Sequence, residues 1–328
     1  MPANLPPAYL EAEKRCRKAK TPDAKVEVLE EMLTILPKHK GTDKLRADLR
    51  RRISKFKDQA LHKKGVSKRK TAFSIDKEGA AQVVVVGSPN AGKSALIDLL
   101  TNASPEVADF PHTTQKPTPG MVPYEDIQFQ LVDTPPITRD YIDPLMADLI
   151  RRADIVVVLL DLYADILQQF EDIMYILQTF RIFPEKTPIP EDLTNPPFIR
   201  KILVVANKMD KPEDEEDFKT FLELTEVTLP CLGISVRTGK NLMAFIEKIY
   251  DLSQVIRVYT KAPGKEPDMK SPFVIPRKST LEEMACKVHK DFVEKLKHAK
   301  IWGKSVRDGQ MVQRDYIMQD GDVVEMNI

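Results

Sequence analysis

The sequence predicts an α/β protein: a mostly parallel sheet with helices on both faces, preceded by a basic helical region and followed by a smaller α+β unit. Three observations predict it. Between about residues 80 and 254, apolar β-branched runs alternate with helical stretches, the pattern of strands joined by crossover helices. Before that block, apolar residues recur at three- and four-residue spacing. After it, short strand candidates surround one helical stretch. A chain of 328 residues has room for more than one core, and the expected boundaries are 1–75, 76–254 and 255–328.

Composition narrows the functional classes. A hydrophobic fraction of 42% with 30% charged residues fits a soluble globular protein, and a net charge of +1 means that the molecule as a whole does not seek polyanions. Cys16, Cys231 and Cys286 form no CxxC pair, which predicts reduced thiols in the cytoplasm rather than a disulfide framework or a zinc site. The start, MPANLPPAYLEAEKR, lacks an apolar signal core. The longest apolar run, IVVVLL from Ile155, suits a buried strand and is too short to span a membrane, so no membrane partner is expected.

In the first region, Val26, Leu29, Leu33 and Leu36, then Leu45, Leu49, Ile53 and Phe56, fall at helical spacing, with Pro37 and Gly41 between the two sets. From Lys44 to Lys70 there are twelve Lys and Arg against two acids, Asp48 and Asp58. Arg50-Arg51-Arg52 and KKGVSKRK, Lys63 to Lys70, dominate this imbalance. Such a stripe is either a solvated helix face or a site for a phosphate backbone, and its density favours contact with RNA or the ribosome.

The central block opens on VVVVGSPNAGKS, Val83 to Ser94. Four valines read as a buried strand, Gly87 breaks it, and Gly92-Lys93-Ser94 opens a helix. The spacing is G-x-x-x-x-G-K-[ST], a phosphate-binding loop. Phosphate oxygens need several N–H donors converging on one point, which a loop bent around glycines and a helix N-terminus supply. The expected cradle is Gly87, Ser88, Pro89, Asn90, Ala91, Gly92, Lys93 and Ser94, with Ala95 in the first helical turn. Lys93 would reach the β- and γ-phosphates, and Ser94 would hold Mg²⁺. Further strands are expected at Ile127–Val132, Ile155–Leu160, Ile202–Ala206 and Leu229–Ile234. Helices are expected near Tyr141–Arg151, Ala164–Thr179, Glu213–Leu224 and Leu242–Leu252. The segment Phe183–Pro197 is too rich in proline for a helix and reads as a surface insertion.

Two strand ends specify the nucleotide. Asn207-Lys208-Met209-Asp210 follows ILVVA with the form N-K-x-D. A carboxylate at Asp210 can accept from guanine N1–H and N2–H₂, which adenine does not offer. Asn207 can touch the base or brace the loop, the Lys208 stem can cover the ring, and Ser235 in GISVRTGKNL can complete the pocket, with Val236 contributing its backbone. Asp133, in LVDTPP, ends a strand and can hold Mg²⁺ through water. Thr114, in His112-Thr113-Thr114, lies between the first helix and the second strand, where a switch-loop threonine ligates Mg²⁺ when a γ-phosphate is present. Lys93, Thr114 and Asp133 are the candidate catalytic residues.

Beyond Leu252, Arg257–Thr260, Phe273–Ile275, Ala299–Trp302 and Val323–Met326 read as strands, and Thr280 with Glu283 forms a capping-box pattern. Nothing there has a catalytic pattern; His289 and His298 are expected to be structural or surface residues, and Trp302 a core anchor.

Together, GSPNAGKS, ADFPHTTQKPTPG, DTPP and NKMD, in that order, resemble the Obg-related GTPases, most closely the developmentally regulated GTP-binding protein (DRG) branch. The tail, from RVYTKAPGKEPD to DGDVVEMNI, is similar to a TGS domain, a ubiquitin-like β-grasp module. The resemblance covers about residues 80–328, and more loosely the basic leader. It implies a P-loop GTPase with GTP or GDP, Mg²⁺, and ribosome or RNA association. Relatives often use K⁺, held in part at the position of Asn90. Val236 replaces a usual alanine. Pro136 stands where the switch glycine donates its N–H to the γ-phosphate; proline has none to give, so slow hydrolysis is expected. Two functions follow: a slow GTPase switch on the translation machinery, with a protein cofactor conceivable, or a guanine-nucleotide sensor that tethers RNA or a protein with negligible hydrolysis. NKMD argues against an ATP-driven motor.

Overall fold

The computed structural model describes residues 7–18, 22–36, 42, 45–54, 56, 73, 75–101, 116–139, 143–190, 193–288, 296 and 298–327. The chain divides into two units, Met1–Ser74 and Ile75–Ile328.

In the first unit, helix α1 spans Pro7–Lys18, α2 spans Pro22–Ile35, and residues 45–54 form α3. Tyr9 and Ala12 of α1 pack against Leu29, Met32 and Leu36 and against Leu49 and Ile53, so the apolar residues at helical spacing form a small core. The basic stripe is divided in its use. Arg46 donates to the carbonyls of Leu36 (2.6 Å) and Leu33 (3.3 Å), satisfying the orphan acceptors at the end of α2. Arg51 and Arg52 share the carboxylate of Asp48 at 3.2 and 2.8 Å, while Arg50 is exposed. Surface pairs of this kind contribute about 0–1 kcal/mol, so Arg51 and Arg52 can exchange Asp48 for another anion at little cost; Arg46 cannot. The cluster from Lys63 to Lys70 lies outside the described residues.

The second unit holds two sheets. Among the described residues the larger has β1 (Gln82–Gly87), β2 (Thr118–Tyr124), β3 (Ile127–Asp133), β4 (Ile155–Asp161), β5 (Ile182–Pro184), β6 (Phe198–Asn207) and β7 (Cys231–Gly233), in the order β2-β3-β1-β4-β6-β5, with β7 also on β6. Helices α4 (Lys93–Leu100), α5 (Pro144–Arg152), α6 (Ile166–Thr179), α7 (Asp214–Thr225) and α8 (Leu242–Ser253) alternate with the strands. Val83 and Val85, Val157 and Leu159, and Leu203 and Val205 face Leu96 of α4 and Phe245 and Ile249 of α8. Their neighbours Val84, Val86, Val156, Val158 and Val204 are fully buried as well. A strand covered on both faces needs apolar residues at every position, which is why these runs show no alternation.

Two strands of this larger sheet were not expected. β2 pairs antiparallel with β3 at the sheet's edge. Its sequence, TPGMVPY, carries two prolines, which an edge strand tolerates because half of its N–H groups need no partner. β5 corrects the reading of Phe183–Pro197 as an insertion throughout: Phe183 and Pro184 are buried in a strand parallel to β6, and the described residues from Glu185 onward lie at least partly at the surface.

The smaller sheet contains β8 (Val255–Thr260), β9 (Asp268–Pro276), β10 (His298–Trp302), β11 (Gln310–Val312) and β12 (Asp322–Asn327), in the order β11-β10-β12-β8-β9, with α9 (Leu281–Val288). Leu281 and Met284 of α9 pack onto Val258, Ile275, Ile301 and Val324. The capping box is formed: the Glu283 N–H donates to Thr280 Oγ1 at 3.3 Å, and the Thr280 N–H donates to Glu283 Oε2 at 3.1 Å. Trp302 is a correction, because it is half-buried outside this core with the Lys261 ammonium 4.4 Å from its ring centre. His298 sits half-buried at the start of β10, and His289 lies outside the described residues.

The two sheets meet at the β2–β3 turn. Arg257, on β8, donates to Asp320 Oδ2 at 2.8 Å and to Asp126 Oδ1 at 3.1 Å, and also contacts Glu125. The Tyr259 hydroxyl donates to Asp126, and the rings of Tyr124 and Tyr250 lie 5.1 Å apart.

Candidate nucleotide site

Parallel pairing aligns the carboxyl ends of β1, β4 and β6: Gly87 lies beside Leu159, and Asp161 beside Asn207. Ligands bind beyond such ends in open α/β sheets, and the predicted residues converge there.

The phosphate loop depends on two close approaches. A Cβ on Gly87 would lie 2.4 Å from the carbonyl oxygen of Leu159. Gly92 has φ +94°, and a Cβ there would lie 2.4 Å from Asn207 Nδ2. Only glycine permits both the turn and the contact. Asn90 also sits in the left-handed region, with φ 61°, at the exposed tip beside Pro89. Lys93 folds back over the loop and donates to the carbonyls of Gly87 (3.0 Å) and Ser88 (2.9 Å). Burial pushes its ammonium down to about 8, against the opposing pull of Asp133. An anion in the loop would supply the charge partner that burial denies it.

Ser94, exposed in the first turn of α4 with Ala95, donates from Oγ to Asp133 Oδ2 at 2.6 Å. Two hard oxygen donors side by side at a helix N-terminus fit Mg²⁺, which prefers one or two protein oxygens and completes its shell with phosphate and water. The described residues contain no cluster of three or more His, Cys, Asp or Glu that would suggest an all-protein metal cage. Thr114, with His112 and Thr113, lies outside the described residues.

On the base side, Asn207 braces rather than points outward. It donates from Nδ2 to the Ala91 carbonyl at 2.9 Å and accepts the Val236 N–H on Oδ1 at 3.2 Å, joining the phosphate loop to the Ser235 loop. Asp210 accepts from Ser235 Oγ and pairs with Arg237 at 3.0 Å; its side chain retains 8% exposure. Lys208 pairs with Asp161 at 2.5 Å, which fixes its stem along the rim. Asp161 and Arg237 were missed in the sequence reading. Asp161 was readable, because it ends IVVVLL in the same way that Asp133 ends its strand; Arg237 has no distinguishing pattern.

The segment after Asp133 is fastened on either side of Pro136. Thr134 Oγ1 donates to the Val85 carbonyl at 2.6 Å, and the Ile137 N–H donates to the Gly87 carbonyl at 3.3 Å. Pro136 is exposed and the Ile137 side chain is buried.

The family described as 50S ribosome-binding GTPase matches residues 82–208, and the family described as TGS domain matches residues 256–327. Along its length the chain is 29% identical to a GTP-binding protein of Methanocaldococcus jannaschii, covering 92% of this chain and 91% of the relative. It is 26% identical to developmentally-regulated GTP-binding protein 1 of Xenopus laevis, covering 92% of this chain and 98% of that protein. The chain carries a GTPase domain and a carboxy-terminal TGS domain, and along its length it is similar to the DRG-type GTP-binding proteins. Among solved structures, the Schizosaccharomyces pombe YchF GTPase shares its fold, at 12% identity and a TM-score of 0.53, covering 77% of this chain and 100% of that one. The matched GTPase domain makes this chain a GTP-binding protein. Among its described residues no helix is long and apolar enough to cross a membrane.

Proposed function

We propose that this GTPase is a slow switch that hydrolyses GTP to GDP and phosphate and associates with RNA or the ribosome through its basic amino-terminal unit. One observation carries the reading: Asp210, held by Ser235 and Arg237, lies on the same strand-end platform as Lys93, Ser94 and Asp133. Asp210 would select guanine. The backbone of Gly87, Ser88, Asn90, Ala91, Gly92, Lys93, Ser94 and Ala95 would receive the phosphates. Lys93 would exchange the Gly87 and Ser88 carbonyls for phosphate oxygens and stabilise the charge that develops as water attacks the γ-phosphorus and the bond to the bridging oxygen breaks. Ser94 and Asp133, with Thr114 from the switch loop, would hold Mg²⁺, which neutralises phosphate charge.

The rate is expected to be low. Pro136 offers no N–H to the γ-phosphate. The nearest replacement, the N–H of Ile137, is bonded to Gly87, and the buried Ile137 side chain cannot orient a water. These facts also favour the second reading, a guanine-nucleotide sensor without turnover. Pro136→Gly separates them: it restores a hydrogen bond to a charged group, worth about 1.5–3 kcal/mol, and should raise hydrolysis or GTP-over-GDP preference roughly tenfold. No change in either would mean that the loop already compensates. The exposed Asn90 is the proposed K⁺ ligand, and equal turnover in Na⁺ and K⁺ buffers would remove that cation.

Removing residues 1–74 should leave GTP binding intact and sharply reduce co-sedimentation with ribosomes, with RNA binding that falls steeply as salt rises. Undiminished ribosome binding by the truncated protein would transfer the contact to the TGS domain or a protein cofactor.

A further inference from the structure

A cavity of about 460 Å³ lies where the GTPase sheet meets the TGS domain, at the opposite ends of the strands from the phosphate loop. Ala81 and Asp154 line it just before β1 and β4 begin, and Lys201 lines it near the start of β6; Val274 of β9 and Lys287 of α9 close it from the TGS side. Its volume is in the range of small-molecule sites, about 300–1,000 Å³.

The charge is one-sided. Five cations line the cavity against two carboxylates, Asp154 and Glu185. Asp154 is committed: it pairs with Lys77 at 2.5 Å and accepts the Gln82 N–H at 2.9 Å. The other four cations have carbonyls as their hydrogen-bond acceptors among the described residues. Arg152 donates to Asp148 O at 3.3 Å, Arg200 to Ile199 O at 2.6 Å and to Arg151 O, Lys201 to Ser253 O at 3.4 Å, and Lys287 to Val274 O. Arg200 Nε is buried with no hydrogen-bond partner. Buried polar groups normally find partners, and like charges gathered on one cavity repel unless an anion joins them. Val255, Val274 and Pro276 give the same cavity an apolar wall.

We propose that this cavity is a second anion site, which takes a small organic phosphate with its phosphate on Arg152, Arg200, Lys201 and Lys287 and its carbon skeleton against Val255 and Val274. Guanidinium forks match phosphate geometry, and walls contributed by two domains suit a compact ligand better than a continuous polynucleotide. A ligand held by both Lys201 and Lys287 would tie the TGS domain to the GTPase domain at a point remote from the guanine site.

The test uses the full-length protein saturated with GDP and Mg²⁺, titrated by calorimetry with ADP, which Asp210 should exclude from the guanine site, and separately with inorganic phosphate. ADP is expected to bind more tightly than inorganic phosphate, to survive excess GDP, and to weaken at least tenfold in K201Q and in the exposed-helix variant K287Q, with GDP affinity unchanged as the control for folding. The assignment is overturned if neither probe binds at millimolar concentration, if excess GDP displaces ADP, or if neither substitution weakens binding. Binding of inorganic phosphate as tight as ADP would remove the apolar wall from the site, and a short single-stranded RNA that displaces ADP and binds more tightly would make it a polynucleotide contact instead.

Discussion

Replacing Asp210 by Asn is expected to lower GTP affinity at least about tenfold and to shift preference toward xanthine nucleotides. The substitution turns an acceptor into a donor opposite the guanine N1–H. Hydrogen bonds to a charged group contribute about 1.5–3 kcal/mol, and here two are lost from a side chain that retains 8% exposure. The damage should be local. Arg237 loses its ion-pair partner but is 73% exposed, so its release costs little stability. Ser235 keeps its contact with the Thr238 N–H at 3.0 Å. Equilibrium binding of GTP, XTP and ATP to both proteins measures the effect. Wild-type protein that binds ATP as tightly as GTP would show that the base corner has been misassigned.

Arg257→Ala is expected to loosen the TGS domain from the GTPase domain by about 2–4 kcal/mol. Breaking a buried pair by removing one partner costs about 3–5 kcal/mol. Arg257 retains 15% exposure and its partners somewhat more, so a smaller value applies. The loss leaves Asp126 and Asp320 facing each other without their shared cation. Heating should then separate one unfolding transition into two, and amide exchange should rise in β8 and in the β2–β3 turn. A single unshifted transition would show that the Tyr124–Tyr250 and Tyr259–Asp126 contacts suffice. The wild-type junction should also weaken in acid. Burial pushes the Asp320 carboxyl up, but hydrogen bonds from the Arg257 side chain and backbone outweigh it and hold the group below its ordinary value. A depressed carboxyl contributes stability above its unfolded value, about 4, and loses that contribution as pH falls through the folded value.

The phosphate loop, both strand-end motifs and the alternation of strand and helix were legible because each is a local pattern. A buried parallel strand is a run of apolar residues, and a phosphate loop is a fixed spacing of glycines. The carboxy-terminal module was legible as a small α+β unit from its capping box and short strands, and as a β-grasp only through its resemblance to TGS domains. β2 and β5 were not, because their prolines argue against a strand until the sheet's edge is known. The division of labour in the basic stripe was equally hidden. Arg46 looks like Arg50 in sequence, but only the packing of α3 beside the end of α2 turns it toward the Leu36 carbonyl. The inter-domain clamp joins Asp126 to Arg257, 131 positions apart, and nothing local marks either residue. Asn207 is intermediate: its motif was plain, but its choice between base and loop was made by Ala91 and Val236.

Phosphate release from GTP under multiple turnover, with Mg²⁺ present and ATP as the comparison, tests the central claim most directly. The account predicts slow, sustained release from GTP, none from ATP, and loss of release in Lys93→Ala, which removes the ammonium that would stabilise the transferring phosphoryl group. Tight GTP binding with no release beyond one turnover, with or without ribosomes, would contradict the switch and leave a guanine-nucleotide sensor.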